Sequence, residues 1–204
     1  MSFPNTPWKD NGWTAAQKKA TISRNFARIM EALGLDLTDD SLMGTPDRVA
    51  KMYVDEIFGG LDPKNFPKIT MVENKMGYNE MVTELKITLN SSCEHHFIPI
   101  IGHAHVSYIP GKKVIGLSKL NRIVEYYARR PQIQERLTSQ IAEKLKELLE
   151  VNDVAVVVDA MHTCVRTRGI KDSASYTRTA SIDGAYIETD TRAEFFNSLP
   201  GIAL

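Results

Sequence analysis

Residues 118–149 carry two consecutive amphipathic patterns of helical period, and segments of strand type stand on both sides of them. On the N-terminal side the apolar residues alternate. Met81, Thr83, Leu85, Ile87 and Leu89 fall on one face of a strand, with Val82, Glu84, Lys86 and Thr88 on the other. A second strand is expected over about 101–109, stopped by Pro110-Gly111. The period then lengthens. Ser118 is placed to cap a helix with the stripe Leu120, Ile123, Val124 and Tyr127, and Arg130-Pro131 breaks it. The next helix, about 132–149, aligns Ile133, Leu137, Ile141, Leu145 and Leu148. Val154 to Val158 reads as a buried strand, a further alternating strand covers about 175–182, and a short helix starts at Asp190. Strand pair, helix pair and strand pair in that order make an α+β chain.

A helical region precedes this block. Thr14-Ala15-Ala16-Gln17 has the form of a capping box, Ile22, Phe26, Ile29, Met30 and Leu33 follow at helical spacing, and Gly34 is a stop. Thr45-Pro46 reads as an N-cap and first-turn proline for a second helix with Val49, Met52, Tyr53 and Ile57, ended by Gly59-Gly60. From there to about residue 80 the chain is loop-like, with Pro63, Pro67 and Gly77. The division is therefore 1–80 and 81–204. With 204 residues, no repeat and no linker, the two parts are expected to form one compact unit.

Charge removes some functions. Lys and Arg number 25 against 25 Asp and Glu, so no general polyelectrolyte attraction favours nucleic acid or a membrane surface, and an anionic ligand must meet a local basic cluster. No apolar run approaches the roughly 18 residues of a membrane span. The start, MSFPNTPWKDNGWTA, lacks the apolar core of a secretory signal, and the chain reads as cytoplasmic.

The two cysteines are the informative residues. Cys93 opens Cys93-Glu94-His95-His96 and Cys164 closes His162-Thr163-Cys164, so five of the seven Cys and His residues fall in two short clusters. In a reducing compartment that pattern favours a metal over a disulfide. Thiolate with imidazole suits zinc, and the clusters offer either four ligands or three. Four would close the site and make it structural. Three would leave room for a water whose pKa zinc lowers to about 7. Adjacent His95 and His96 cannot easily aim both rings at one ion, which leaves one for acid–base chemistry. Taken singly, each of these residues is equally at home in a core or on a surface without metal. His103 and His105, two apart on one strand face, offer a second candidate pair.

Between the clusters, Gly116-Leu117-Ser118-Lys119 leads into a helix with Lys119 and Arg122 on one face of its first turn, a place where unpaired N–H groups and the helix dipole suit a polyphosphate. Such cations are as often simply solvated, and no Walker loop or GxGxxG turn is present. Gln134-Glu135 opens the following helix. Glu135 either complements the helix dipole or accepts two N–H bonds from the amidine edge of a guanine-like ring.

Cys93-Glu-His-His-Phe97, Gly116-Leu-Ser-Lys119, Arg130-Pro-Gln-Ile-Gln-Glu-Arg-Leu137, and His162-Thr-Cys164 through Arg168-Gly169 together resemble GTP cyclohydrolase I. Thr45-Pro-Asp-Arg-Val-Ala-Lys-Met52 extends the likeness, which spans about residues 35–196. The resemblance implies the tunnelling fold, with antiparallel strand pairs flanking two helices over 81–204. It also implies a zinc-dependent homodecamer of two face-to-face pentamers with its sites between subunits, and conversion of GTP and water to 7,8-dihydroneopterin triphosphate and formate, the entry to folate or tetrahydrobiopterin.

Carried over by position, the resemblance makes Cys93, His96 and Cys164 the zinc ligands, with water in the fourth place. His162 would donate a proton at guanine N7. His95 would assist proton transfers on the ribose side, with Ser118 as a neighbouring hydrogen-bonding group. Glu135 would anchor the pyrimidine edge, with Gln134 beside it, while Lys119, Arg122 and Arg168, supplemented by Arg48 and Lys51, would hold the triphosphate. His103 and His105 match no functional position of the family.

Overall fold

The capping box at Thr14 is formed. Gln17 N–H donates to Thr14 Oγ1 at 3.3 Å, Thr14 N–H donates to Gln17 Oε1 at 2.9 Å, and α1 (Ala15–Ala32) follows, with Gly34 at φ 78° beyond its end. The structure, a computed structural model, describes residues 6–201, so the first five residues of the segment MSFPNTPWKDNGWTA lie outside the described range. Helix α2 (Thr45–Lys51) starts one residue earlier than expected: Gly44 is the N-cap, Thr45 the first helical residue and Pro46 the second. Proline costs nothing there, because a first-turn N–H has no partner within the helix. The helix continues as a π-helical segment, Met52–Ile57, in which Phe58 N–H donates to Tyr53 O at 3.1 Å. Lys19 to Asp55 at 2.9 Å and Ser23 to Asp47 at 2.7 Å tie α1 to this second helix.

The stretch expected as loop contains β1 (Met71–Glu73), which pairs antiparallel with β4 (Lys113–Ile115). Three residues are too few to show a period, so this pair has no local signature. Between them run β2 (Val82–Cys93) and β3 (Pro99–Tyr108), an antiparallel hairpin. Its register shifts between Glu84 and Ile87, and Lys86 there takes φ 55°. The shift corrects the expected faces. Val82 and Glu84, opposite Tyr108 and Val106, join Ile87 and Leu89, whereas Thr83 lies opposite Ser107 on the other side. Leu85 is left 40% exposed. One extra residue in a strand inverts every side chain before it, and a count of period two cannot see it.

Gly116, in extended backbone, is the N-cap of α3 (Leu117–Ala128), so Ser118 is the second helical residue and not the cap. A short β5 (Pro131–Gln132) lies parallel to the end of β2, with Ser92 opposite Pro131 and Cys93 opposite Gln132. Ile133 is the N-cap of α4 (Gln134–Leu149) and stands outside its apolar stripe. The strand expected at 154–158 runs further, as β6 (Val154–His162), and passes directly into α5 (Thr163–Arg166). Strand β7 (Thr177–Ile182), a 3-10 turn at Gly184–Ile187 and α6 (Thr189–Ser198) complete the described chain.

The sheet order is β5-β2-β3-β6-β7, antiparallel except at β5. The result is a mixed helix–sheet molecule built on antiparallel strands. Helices α3 and α4 cover one face, where Leu120, Ile123, Leu137 and Ile141 pack with Leu89, Ile100, Val106 and Val156 at zero exposure. Each such side chain contributes about 1.5–3 kcal/mol relative to leaving it in water. Tyr186 and Phe195 cover Ala155 and Val157 on the opposite face. Among the described residues no helix is long and apolar enough to cross a membrane.

His103 and His105 lie on that second face. His105 is buried, 3.6 Å from Asp159 Oδ2, and accepts a long bond from Lys86 N–H at 3.4 Å. Asp159 is already held by Arg178 at 2.6 and 2.7 Å. Burial therefore prevails over the carboxylate and holds the His105 pKa below its ordinary value. His105 serves as a neutral core residue.

Candidate active site

The pairing of β3 with β6 assembles the site. His162, the last residue of β6, stands opposite Ile100 at the start of β3, so the cluster after β6 meets the cluster after β2. Cys93 ends β2, and its carbonyl accepts from Phe97 N–H at 2.8 Å while its own N–H donates to Ile98 O at 2.9 Å. That single tight turn sets Cys93 and His96 toward one side. Cys164 arrives on α5. The ligand atoms of Cys93, His96 and Cys164 lie within 4.8 Å of one another, the one group of this kind among the described residues.

Two sulfurs and one imidazole nitrogen fit a borderline-soft divalent metal such as zinc, with one tetrahedral position left over. Burial and the neighbouring Cys93 push the Cys164 thiol up. Two adjacent thiolates are unfavourable unless a cation stands between them, which is what a metal supplies. His95 is outside this group. Its ring is largely exposed, with Nδ1 3.9 Å from Cys93 Sγ and Nε2 3.8 Å from Glu94 Oε1, so one of the adjacent histidines is free, as expected.

His162 is half-buried at the same place. Its Nε2 is 2.8 Å from Oε1 of Gln134, and the Gln134 amide nitrogen donates to Val158 O and Thr177 O, both at 2.9 Å, and to Thr179 Oγ1 at 3.2 Å. Two carbonyls fix which end of the amide is nitrogen, so Oε1 faces His162 and Nε2 carries the hydrogen. Burial lowers the His162 pKa, and the Glu135 carboxylate opposes that.

A family model described as GTP cyclohydrolase I matches residues 22–200. The chain belongs to this family. It is 56% identical over 197 residues to the GTP cyclohydrolase 1 of Aeromonas salmonicida (strain A449), an alignment covering 96% of this chain and 90% of that relative. Identity to the GTP cyclohydrolase 1 of Vibrio cholerae serotype O1 is 55% over 195 residues, covering 95% and 90% of the two chains. With that of Citrobacter koseri it is 57% over 183 residues, covering 89% and 82%. As a member of the GTP cyclohydrolase I family the chain is an enzyme. The family match begins inside α1, earlier than the likeness expected from about residue 35.

The residues that the resemblance would place around GTP lie on several elements. Arg168 stands at the metal group, its Nη1 donating to His96 Nε2 at 2.5 Å. Glu135 is exposed in the first turn of α4, beside His162. Gln134 is 1% exposed and its amide is consumed inside the chain, so its side chain faces His162 and the sheet. Ser118, Lys119 and Arg122 lie on α3. Arg122 borders a depression with Gly60, Pro67 and Tyr126 that includes none of the metal-site residues. Arg48 Nη2 is engaged locally, with Thr45 Oγ1 at 2.7 Å and Ser41 O at 3.1 Å, and Lys51 is exposed on the same helix.

Two supporting contacts were not legible as such. Arg136 Nη1 pairs with Glu94 Oε2 at 2.6 Å, pinning the metal turn to α4. Phe97 docks on Tyr53 and Phe58 of the N-terminal region. Glu94, Phe97 and Arg136 all sit inside the family motifs, which was the available signal, but their partners are remote in sequence.

Proposed function

We propose that this chain is a zinc-dependent GTP cyclohydrolase I that converts GTP and water to 7,8-dihydroneopterin triphosphate and formate, at the head of folate or another pterin route. The observation that carries the reading is the group Cys93, His96 and Cys164, one ligand short of a closed tetrahedron, with His162 beside it. Zinc held there would supply a Lewis acid that acidifies water for attack on C8 of the guanine imidazole ring.

The chain's own residues do the rest. Glu135 accepts from the amidine edge of guanine and fixes the base. His162, taking a second proton at Nδ1 while its Nε2–H stays on Gln134, gives that proton to N7 as the ring opens. His95, exposed beside the turn, moves protons during the later rearrangement of the ribose, with Ser118 as a hydrogen-bonding neighbour. Arg168, Lys119 and Arg122, with Arg48 and Lys51, neutralise the triphosphate, which suits a chain of zero net charge.

Arg122 borders a depression that none of the residues of the metal group line, which supports a site completed by a neighbouring subunit. The sheet supports the same view. The outer edge of β7 has no strand partner among the described residues, and β2 is covered only at Ser92 and Cys93. Free edges at both ends of an antiparallel sheet can pair head to tail and close a ring, as the tunnelling fold of a decamer of two pentamers requires. In this reading 1–80 is the N-terminal helical region and 81–204 the catalytic part of one unit, and the enzyme is cytoplasmic.

Incubation with GTP should release formate and generate dihydropterin absorbance, and a strong chelator should abolish both. Turnover that continues after verified metal removal would sink the zinc-water step. A monomer that is fully active would contradict the shared site.

A further inference from the structure

We infer that Phe97 is a positioning residue for the metal site: its ring, docked against Tyr53 and Phe58, holds the Cys93–Phe97 turn and so fixes where His96 presents its imidazole. This rests on the metal reading above. Phe97 takes φ 55°, a conformation that bulky residues rarely adopt, and the residue remains 47% exposed. Neither backbone preference nor full burial accounts for a phenylalanine here. Its neighbours do. The Phe97 ring meets Phe58 at 5.1 Å and 62° and Tyr53 at 6.4 Å and 81°, both edge-on.

The other two rings form a rigid wall. Tyr53 and Phe58 lie 5.3 Å apart, at the ends of the π-helical hydrogen bond. Arg129 Nη2 donates to Asp55 O at 2.6 Å and Arg129 Nε donates to Glu56 O, bracing the segment against α3. Gly60 N–H donates back to Arg129 O at 2.9 Å, and Lys19 holds Asp55 from α1. At its other end the metal turn is fixed by Glu94, through Arg136 and through Glu94 N–H to Gln132 O at 3.0 Å. His96 sits one residue from the aromatic anchor, and Cys164 comes from a different element, so the sulfur–nitrogen–sulfur triangle depends on where this turn is held.

Glycine separates ring from backbone, because it adopts the left-handed conformation freely but carries no anchor. The test uses full-length protein stripped of metal and titrated with Co(II) in competition with a chelator, reading affinity and the thiolate-to-cobalt and ligand-field absorbance. Phe97→Gly and Phe97→Ala should bind Co(II) about 10–100-fold more weakly than the parent, the usual effect of losing support behind a metal ligand, with altered ligand-field bands. Phe97→Tyr should restore both. Phe58→Ala, distant in sequence, should reproduce the loss, and it carries the test if the Phe97 variants fail to fold. Wild-type affinity and spectrum in Phe97→Gly, or in Phe58→Ala should the Phe97 variants not fold, overturn the inference even if melting temperatures fall. A parent protein that binds no Co(II) would instead overturn the metal reading on which it stands.

Discussion

Gln134→Met keeps the length and approximate volume of a buried side chain while removing its polar atoms. The parent amide makes two strong donor bonds, to Val158 O and Thr177 O at 2.9 Å, and accepts from His162 at 2.8 Å. Thr179 Oγ1 matters less, since it keeps Thr138 Oγ1 at 2.6 Å. Each lost bond costs ~1 kcal/mol where the partner relaxes and up to ~3 where it stays buried and unpaired. His162 is half-buried and can turn to water, so the two carbonyls dominate, and the variant should lose about 3 kcal/mol of stability. The functional loss is of another kind. Without an acceptor at Nε2 the imidazole is free to rotate and to exchange tautomers, and misplacement on the scale of 1 Å costs about 10²-fold in rate. Formate release at saturating GTP should fall by that factor, KM should change little because Glu135 and the cations remain, and zinc content should stay stoichiometric. Urea midpoints measure the stability term. A kcat within about twofold of the parent would refute the positioning of His162 by Gln134, and an unchanged midpoint would refute the weight given to the two carbonyl bonds.

Three further outcomes are expected. His105 has its pKa lowered by burial, so the folded state keeps it neutral while the unfolded chain protonates it near about pH 6.5. The stability it contributes is present above that value and is lost as pH falls below it toward the folded pKa. Urea midpoints should therefore drop between pH 7.5 and 5.5 more in the parent than in His105→Gln, and equal slopes would dismiss the effect. Gly102→Ala should abolish folding or reduce soluble yield severely, because a Cβ there would meet Asp159 O at 2.0 Å and Ala160 Cα at 2.6 Å, backbone that cannot move aside within a sheet. A soluble variant with the parent melting temperature would count against that packing. Lys119→Ala and Arg122→Ala should weaken GTP binding far more than guanosine binding, by isothermal titration, and equal losses on both ligands would remove them from the triphosphate.

Much of the candidate site could be read along the chain. Two short clusters of sulfur and imidazole side chains marked a possible metal site, the resemblance singled out Cys93, His96 and Cys164 within them, and the structure puts the ligand atoms of these three within 4.8 Å of one another. The capping box at Thr14 and the stripes of α3 and α4 were legible for a related reason: caps and helical faces are set by residues three or four apart. Gln134 shows the limit. Its place next to Glu135 suggested a contact with the base, whereas its amide turns inward to Val158, Thr177 and His162, partners 24 to 43 residues away.

The order of the elements, the candidate metal ligands and the family could all be read along the chain, because each is a property of short windows. Register could not be read in that way. The extra residue near Lys86 set which face of β2 meets the core, and the pairing of Ile100 with His162 brought the two cysteines together. The tertiary structure also set Arg122 at a depression that none of the residues of the metal group line and drew Phe97 onto Tyr53 and Phe58. Local periodicity is fixed by the geometry of one helix or strand. Register between remote strands is chosen by the packing of the whole core, where a slip of one residue exchanges the buried face for the exposed one.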